Sequence, residues 1–403
     1  MNSVSSEKTK TPLWAKAALM FGGIAAALLL VLLLLNLFPG LLRDSDRYRR
    51  QDAGTSIQVN FRHTDSDLFA SLPGRIRPPE DDAIIASFTL SWDADGFRLP
   101  QKQADHYPIA AFGDSFTEGY NVAVPWPDAL AAALDVPVQN YGYRGYGPLE
   151  VAAAAREFAG REARSWLLWA YFAGNDLVDA QRSAALAERS PFYMLPQLAE
   201  QAANRVATET ARNTDQHFDF PMPVIIGGNY YEMAFLPYYL WRQPAPNGGY
   251  EASGAFRLVA DTLDALSASG GPTTCRALVF IPPKDQLYYP YIYPTERQWL
   301  RQNAYVQVID EDGWLQMQPQ PINEADEAAF ISRLTDQRDA VQKLVESRPG
   351  WLFIDLTPVF QARVDQGELL YYPYDSHWNP AGHELAAQAI AAALQAAGGC
   401  ALE

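Results

Sequence analysis

Ser115 sits in Ile109-Ala-Ala-Phe-Gly-Asp-Ser-Phe-Thr-Glu-Gly119, a short apolar run that turns polar between glycines. A strand-to-helix turn at this point would expose the serine hydroxyl at the end of a buried strand. The hydroxyl could cap the helix that follows, because serine oxygens satisfy orphan N–H groups at helix starts. It could equally be a nucleophile, and then it needs a base, since a neutral hydroxyl attacks poorly. Histidine is the side chain whose ordinary pKa suits that task near neutrality. Of five histidines, His63 and His106 precede the serine without any motif around them, and His217 lies in a long aromatic-rich interval. His377 stands two residues after Asp375 in Tyr374-Asp-Ser-His-Trp-Asn-Pro-Ala-Gly-His383. In an extended segment positions i and i+2 share a side, so Asp375 could address the imidazole nitrogen turned away from Ser115. That is the logic of an acyl-transfer triad. His383 is the rival base, but it falls inside the helix announced by Asn379 and Pro380, a cap and first-position pair.

A tetrahedral intermediate also needs donors for its oxyanion. Two further segments offer them: the glycine-spaced loop Asn140-Tyr-Gly-Tyr-Arg-Gly-Tyr-Gly147, which can turn backbone N–H groups towards a ligand, and Gly174-Asn-Asp176. Gly145 could also be a plain turn glycine, and Asn175 a turn residue, because asparagine tolerates left-handed backbone. Asp114, Glu118 and Asp176 read as turn-shaping and helix-capping residues.

These residues need a scaffold, and from residue 107 the chain supplies a regular alternation. Apolar runs of strand length occur at 109–112, 136–140, 166–172, 276–281 and 351–356, bounded by Gly, Pro, Asn or Asp. Helical patterns occur at 127–134, 149–158, 255–266, 328–344 and 384–396. Continuous apolar strands alternating with helices predict an α/β fold whose parallel sheet is covered on both faces. Sites in such sheets gather at the carboxyl ends of the strands. An insertion at about 180–272 is too long for one crossover and is dense in aromatics and prolines; it reads as a lid or substrate wall, or as a structural subdomain.

Gly113-Asp114-Ser115, the Gly142/Gly145 loop, Gly174-Asn175-Asp176 and the Asp375/His377 element, in this order and each at a predicted strand end, resemble the four blocks of the SGNH (GDSL-type) hydrolases. The resemblance spans roughly residues 107–398 without the insertion. It implies a three-layer flavodoxin-like fold, with Ser115 as nucleophile, His377 as base and Asp375 orienting the imidazole. It implies an oxyanion hole made of the backbone N–H groups of Ser115 and Gly145 and the side-chain amide of Asn175, and no metal or organic cofactor. The last block in that family is commonly Asp-x-x-His, whereas Asp375-Ser376-His377 is one residue shorter. The Asp-x-His-Trp form resembles the periplasmic proteins that O-acetylate alginate, in which the pair precedes the serine; here it follows. The segment 280–291 is similar to that group as well. The expected function is a serine esterase or O-acyltransferase acting on O-acyl, chiefly acetyl, groups of an extracytoplasmic polysaccharide through an acyl-serine. The alternatives are a lipid-directed esterase and a catalytically silent glycan-binding scaffold. Tyr288, Tyr289, Tyr291, Tyr293 and Trp378 could stack on sugar rings or pack as core. The partner is an acylated glycan or other ester, with a membrane acyl-donor protein if the reaction is transfer.

Bulk properties narrow the setting. The 403 residues carry 31 Lys and Arg against 47 Asp and Glu, a net charge of −16, which argues against nucleic acid as a partner. The two cysteines, Cys275 and Cys400, have no CxxC or Cys/His cluster around them, so zinc has no support; they form one disulfide or remain buried thiols. Residues 17–42 contain no charge and suffice to span a bilayer, which predicts a transmembrane anchor after a short tail at 1–16. Residues 43–104 read as a stalk and small extension with strand-like alternation at 83–92, and residues 105–403 as the hydrolase-like domain. Basic residues flank the apolar span about equally, so charge does not orient it. The expectation of a single-pass protein with an extracytoplasmic domain comes from the chemistry.

Overall fold

The structure, a computed structural model, describes residues 13–37, 53–72, 74–180, 218–245, 249–303, 305–309, 315–319 and 324–398. The predicted tail at 1–16 for the most part, the end of the expected anchor at 38–42, the start of the stalk at 43–52, residues 181–217 of the insertion with His217, and Cys400 lie outside the described residues.

Five apolar runs become the parallel strands β1 Ile109–Gly113, β2 Val138–Gly142, β3 Trp166–Phe172, β4 Cys275–Ile281 and β5 Trp351–Asp355. They lie side by side in the order β5-β4-β3-β1-β2, every neighbouring pair parallel. This is the flavodoxin-like order, and its direction of growth reverses at β1, the position above whose carboxyl end sites gather in such sheets. Alternate strand residues enter two separate cores. Ile109, Ala111, Leu168, Ala170 and Val279 pack beneath the helices α2 Trp126–Leu134 and α6 Pro380–Ala396. Ala110, Phe112, Leu167, Trp169 and Leu278 pack against α3 Pro148–Ala154, α4 Gly254–Ser269 and α5 Asp336–Glu346. A sheet buried on both faces has no polar side, which is why its strands read as unbroken apolar runs. The helix α1 Ser115–Glu118 is a single turn directly after β1.

Three sequence expectations need adjusting. The second strand lies two residues later than expected, and the 149–158 helix changes to a π-turn at Ala155–Ala159. The expected helix at 328–344 is two helices, Glu324–Ser332 and α5. Asp336 is committed to the Ala245 N–H at 2.9 Å and to Arg333 at 3.0 Å, so a new helix starts there instead of the old one continuing.

The extension is a hairpin: the alternating segment at 83–92 forms the strand Ile84–Ser91, paired antiparallel with Ser56–Arg62. Buried Arg98 fastens it to the nucleophile turn, donating to the carbonyls of Glu118 at 3.1 Å, Val122 at 2.9 Å and Ala123 at 2.8 Å, and to that of Gly119. The described part of the insertion forms a second hairpin, Met222–Ile226 with Asn229–Met233, followed by the helix Pro237–Trp241. Cys275 is disulfide-bonded, which sets aside the free-thiol alternative for that residue. The apolar N-terminal segment is one exposed helix, Leu13–Leu37, beginning earlier than expected and including Lys16. Its stretch Trp14–Val31, with mean hydropathy 1.9, is long and apolar enough to cross a membrane by length and composition.

Candidate active site

The nucleophile turn is built by close packing. A Cβ on Gly113 would lie 2.3 Å from the Thr117 hydroxyl, and one on Gly142 would lie 2.5 Å from the Thr117 Cβ. Only glycines let β1 and β2 sit this close to α1. Asp114 caps that turn, its Oδ1 accepting the Phe116 N–H at 2.9 Å, so capping falls to the aspartate and leaves the Ser115 hydroxyl free for chemistry.

The hydroxyl is engaged by histidine. Ser115 Oγ lies 2.7 Å from His377 Nε2, and His377 Nδ1 lies 2.6 Å from Asp375 Oδ1. The structure therefore brings Ser115, His377 and Asp375 into one line of hydrogen bonds across 262 residues of chain. The Asp375–His377 contact differs from the expected i, i+2 extended geometry. Residues 375–377 form a bend, not an extended segment, and Asp375 Oδ1 also accepts the His377 backbone N–H at 2.8 Å. One carboxylate oxygen thus fixes both the backbone and the ring of the same residue, which the shorter Asp-x-His spacing permits.

Burial disfavours the imidazolium of His377, but the neighbouring charge of Asp375, its hydrogen bond, and the charges of Asp67 and Asp114 outweigh it and push the pKa up to about 9. Asp375 pays a desolvation cost, yet the paired imidazole and its hydrogen bonds hold its carboxyl below the ordinary range. The base acts only when neutral. Activity on a short ester should therefore rise with pH along an acid limb between the ordinary 6.5 and about 9. A pH profile of kcat/KM checks this; a limb at or below 6.5 contradicts it.

The other histidines are placed elsewhere. His383 is fully buried, its Nδ1 accepting the Trp126 N–H at 3.1 Å and its ring edge-on to Trp378, and burial drives its pKa well down. It joins α6 to α2 and is no base for Ser115. His63 packs on Tyr374, and His106 contacts Glu162 at the surface.

Because β2, β1 and β3 are adjacent, the loops carrying Gly145, Ser115 and Asn175 emerge side by side. Gly145 has φ +78°, a conformation that favours glycine, and open space beside its Cα. The Tyr143 N–H ties this loop to the Gly113 carbonyl at 3.2 Å. The backbone carbonyl of Asn175 starts a helix by accepting the N–H groups of Val178 and Asp179, both at 2.8 Å. Its buried side-chain Oδ1 has no partner among the described residues. That oxygen is an acceptor, so the donor role implied for Asn175 falls to its Nδ2 amide group. Replacing it, Asn175→Ala, should cost about 100- to 1,000-fold in kcat with little change in KM, the size expected for one oxyanion donor; steady-state kinetics on a nitrophenyl ester measure it.

Two residues escaped the sequence reading. Asp67, from the extension, accepts the Ser376 N–H at 2.9 Å and the Ser376 hydroxyl, and reaches within 3.9 Å of His377 Nδ1. Lys284, fully buried, donates Nζ to the carbonyls of Ala234, Tyr372, Pro373 and Asp375 at 2.6, 2.9, 2.7 and 3.1 Å. It pins the histidine loop to the insertion from behind. The only signal for it was the Pro-Pro-Lys-Asp run after β4; for Asp67 there was none. Asp67, Asp375 and His377 place ligand atoms within 4.8 Å of one another, enough to hold a metal ion, but the hydrogen bonds above already employ all three. Of the aromatics considered for sugar stacking, Tyr288, Tyr289 and Trp378 are core residues. Tyr291 is half-buried and Tyr293 exposed.

Residues 312–402, which carry β5, the Asp375/His377 loop and α6, match the family described as SGNH hydrolase-like domain, acetyltransferase AlgX. These residues are SGNH hydrolase-like. Among solved structures, the chain is similar to a lipolytic G-D-S-L family protein from Veillonella parvula, at 11 % identity over 71 % of this chain and 97 % of that one, TM-score 0.35. It is also similar to a carbohydrate esterase family 2 enzyme from Corynascus thermopiles, at 12 % identity over 77 % and 71 %, TM-score 0.34. A third is an acetyl xylan esterase from Butyrivibrio proteoclasticus, at 11 % identity over 80 % and 72 %, TM-score 0.32. No curated protein matches the chain. The catalytic reading of the site rests on its side-chain geometry.

Proposed function

We propose that this protein is a membrane-anchored serine esterase or O-acyltransferase that moves O-acyl groups, chiefly acetyl, on an extracytoplasmic polysaccharide. The observation that carries the proposal is the continuous chain Ser115 Oγ–His377 Nε2 at 2.7 Å and His377 Nδ1–Asp375 Oδ1 at 2.6 Å. Ser115 Oγ attacks the ester carbonyl carbon while His377 Nε2 takes its proton. The N–H groups of Ser115 and Gly145 and the amide of Asn175 receive the oxyanion. The intermediate collapses, the C–O bond to the leaving alcohol breaks, and the alcohol leaves with the proton from Nε2. A water or a sugar hydroxyl then attacks the acyl-serine, gives its proton to His377, and Ser115 recovers that proton as the acyl group departs. Hydrolysis and transfer share every one of these residues; what separates them is whether water or sugar occupies the acceptor position.

The polysaccharide assignment is supported by the Asp-x-His-Trp form and by the similarity of residues 312–402 to an acetyltransferase domain. The anchored placement is supported by the apolar helix Leu13–Leu37, and the outward-facing one by the polysaccharide chemistry alone. A membrane acyl-donor protein is the natural partner if transfer is the reaction. The test incubates the full-length protein in detergent with short-chain nitrophenyl esters, with and without acceptor glycans. Acylated glycan formed only with Ser115 intact supports transfer, and ester cleavage without glycan product supports hydrolysis. Turnover of lysophospholipid alone would favour the lipid-directed esterase, and absence of any turnover in folded protein the binding scaffold.

A further inference from the structure

The extension reaches into the triad through Asp67, a residue that the acyl-transfer steps above do not employ. Asp67 opens the short helix Asp67–Ser71, 308 residues before Asp375. Besides its two bonds to Ser376, its backbone N–H donates to Asp375 Oδ2 at 3.4 Å, and the neighbouring Ser66 hydroxyl donates to the Tyr374 carbonyl. The pattern has a physical origin in the short Asp-x-His spacing. Asp375 Oδ1 is spent on the backbone and ring of His377, so the bend leaves Asp375 Oδ2, the Ser376 N–H and the Ser376 hydroxyl in need of partners in a buried loop. Buried polar groups are costly when unpaired. Asp67 meets all three needs.

We propose that Asp67 is a positioning residue for the catalytic histidine: it locks the Asp375–His377 bend from the extension side and adds a second negative charge beside Nδ1. This inference rests on the triad reading of the site. Asp67 is only partly buried by its side chain, at 25 % exposure, and burial followed by the charge of Asp375 pushes its own pKa up to about 6. Other titratable groups face the same corner. Lys284 and Asp285 lie behind the loop, Tyr238 and Tyr239 in the insertion, Tyr120 and Asp114 on the nucleophile side, and His63 on the extension itself. Lys284 opposes the effect of Asp67, and the carboxylates reinforce it.

The sign of the charge effect follows directly. A negative Asp67 favours the imidazolium, which raises the pKa of His377, and loss of that charge lowers it. In the full-length protein, Asp67→Asn should therefore move the acid limb of kcat/KM downward by about one unit, the low end for a neighbouring charge. The plateau kcat should fall about 10- to 100-fold from lost alignment. Ser376→Ala removes a bond but no charge, so it should lower kcat and leave the limb where it is. Asp67→Ser serves as the neutral replacement if thermal melting shows that Asp67→Asn does not fold. A fall in kcat with an unmoved limb, or no change in either, would overturn the inference while leaving the triad intact. Failure of the wild type to show Ser115-dependent turnover would instead remove the catalytic reading on which it rests.

Discussion

Ser115→Ala should lower kcat for a short-chain ester by about 10^6-fold, leaving the fold intact and substrate binding nearly unchanged. The size follows from what the hydroxyl does. It forms the covalent bond to the acyl group, and no other described nucleophile lies on His377 Nε2. The small cost to folding follows from the local structure, because Asp114 and not Ser115 caps the short helix α1. Single-turnover kinetics with a nitrophenyl ester would show a burst in the wild type and none in the variant. A variant retaining a tenth of wild-type turnover would mean that another group does the chemistry.

Asp375→Asn should cost about 10^4-fold in kcat, the penalty for holding the imidazole in the wrong tautomer. Asp375 accepts from Nδ1, which leaves Nε2 as the basic nitrogen facing Ser115. An asparagine amide can turn its own N–H towards Nδ1, which places the proton on Nε2 and removes the base. The acid limb should also fall in pH, since the charge of Asp375 is the leading favourable influence on the imidazolium. Because Asp67 stands 3.9 Å from the same nitrogen, the loss should be partly buffered. Asp375→Asn combined with Asp67→Asn should be worse than Asp375→Asn alone, and a double-mutant cycle on kcat measures that coupling.

The sheet and its helices were legible because the inner strands are buried on both faces and the partly buried edge strand β5 packs on both, so apolar runs bounded by Gly, Pro or Asp had one reading. Ser115 and His377 were legible for a related reason: each lies in a short motif directly after a strand or before a helix, where local spacing fixes position. Asp375 does contact His377, but through a bend and not the extended geometry expected; that bend is bonded to Asp67 and Lys284, far away in sequence. Asp67 was illegible because nothing around it marks chemistry, and its role arises only when the extension docks. For Tyr288, Tyr289 and Trp378 both readings stayed open, because ring-rich segments look the same whether they line a groove or fill a core; the structure shows core. The break at Asp336 was hidden because it depends on a contact with Ala245 across the insertion.

The most direct test of the account is intact-mass spectrometry of the folded, full-length protein after treatment with a fluorophosphonate, followed by peptide mapping. The account predicts one adduct per chain, on Ser115, absent from Ser115→Ala and strongly slowed in His377→Ala. Folded wild-type protein that takes up no adduct, or takes it up on a different residue, would contradict it.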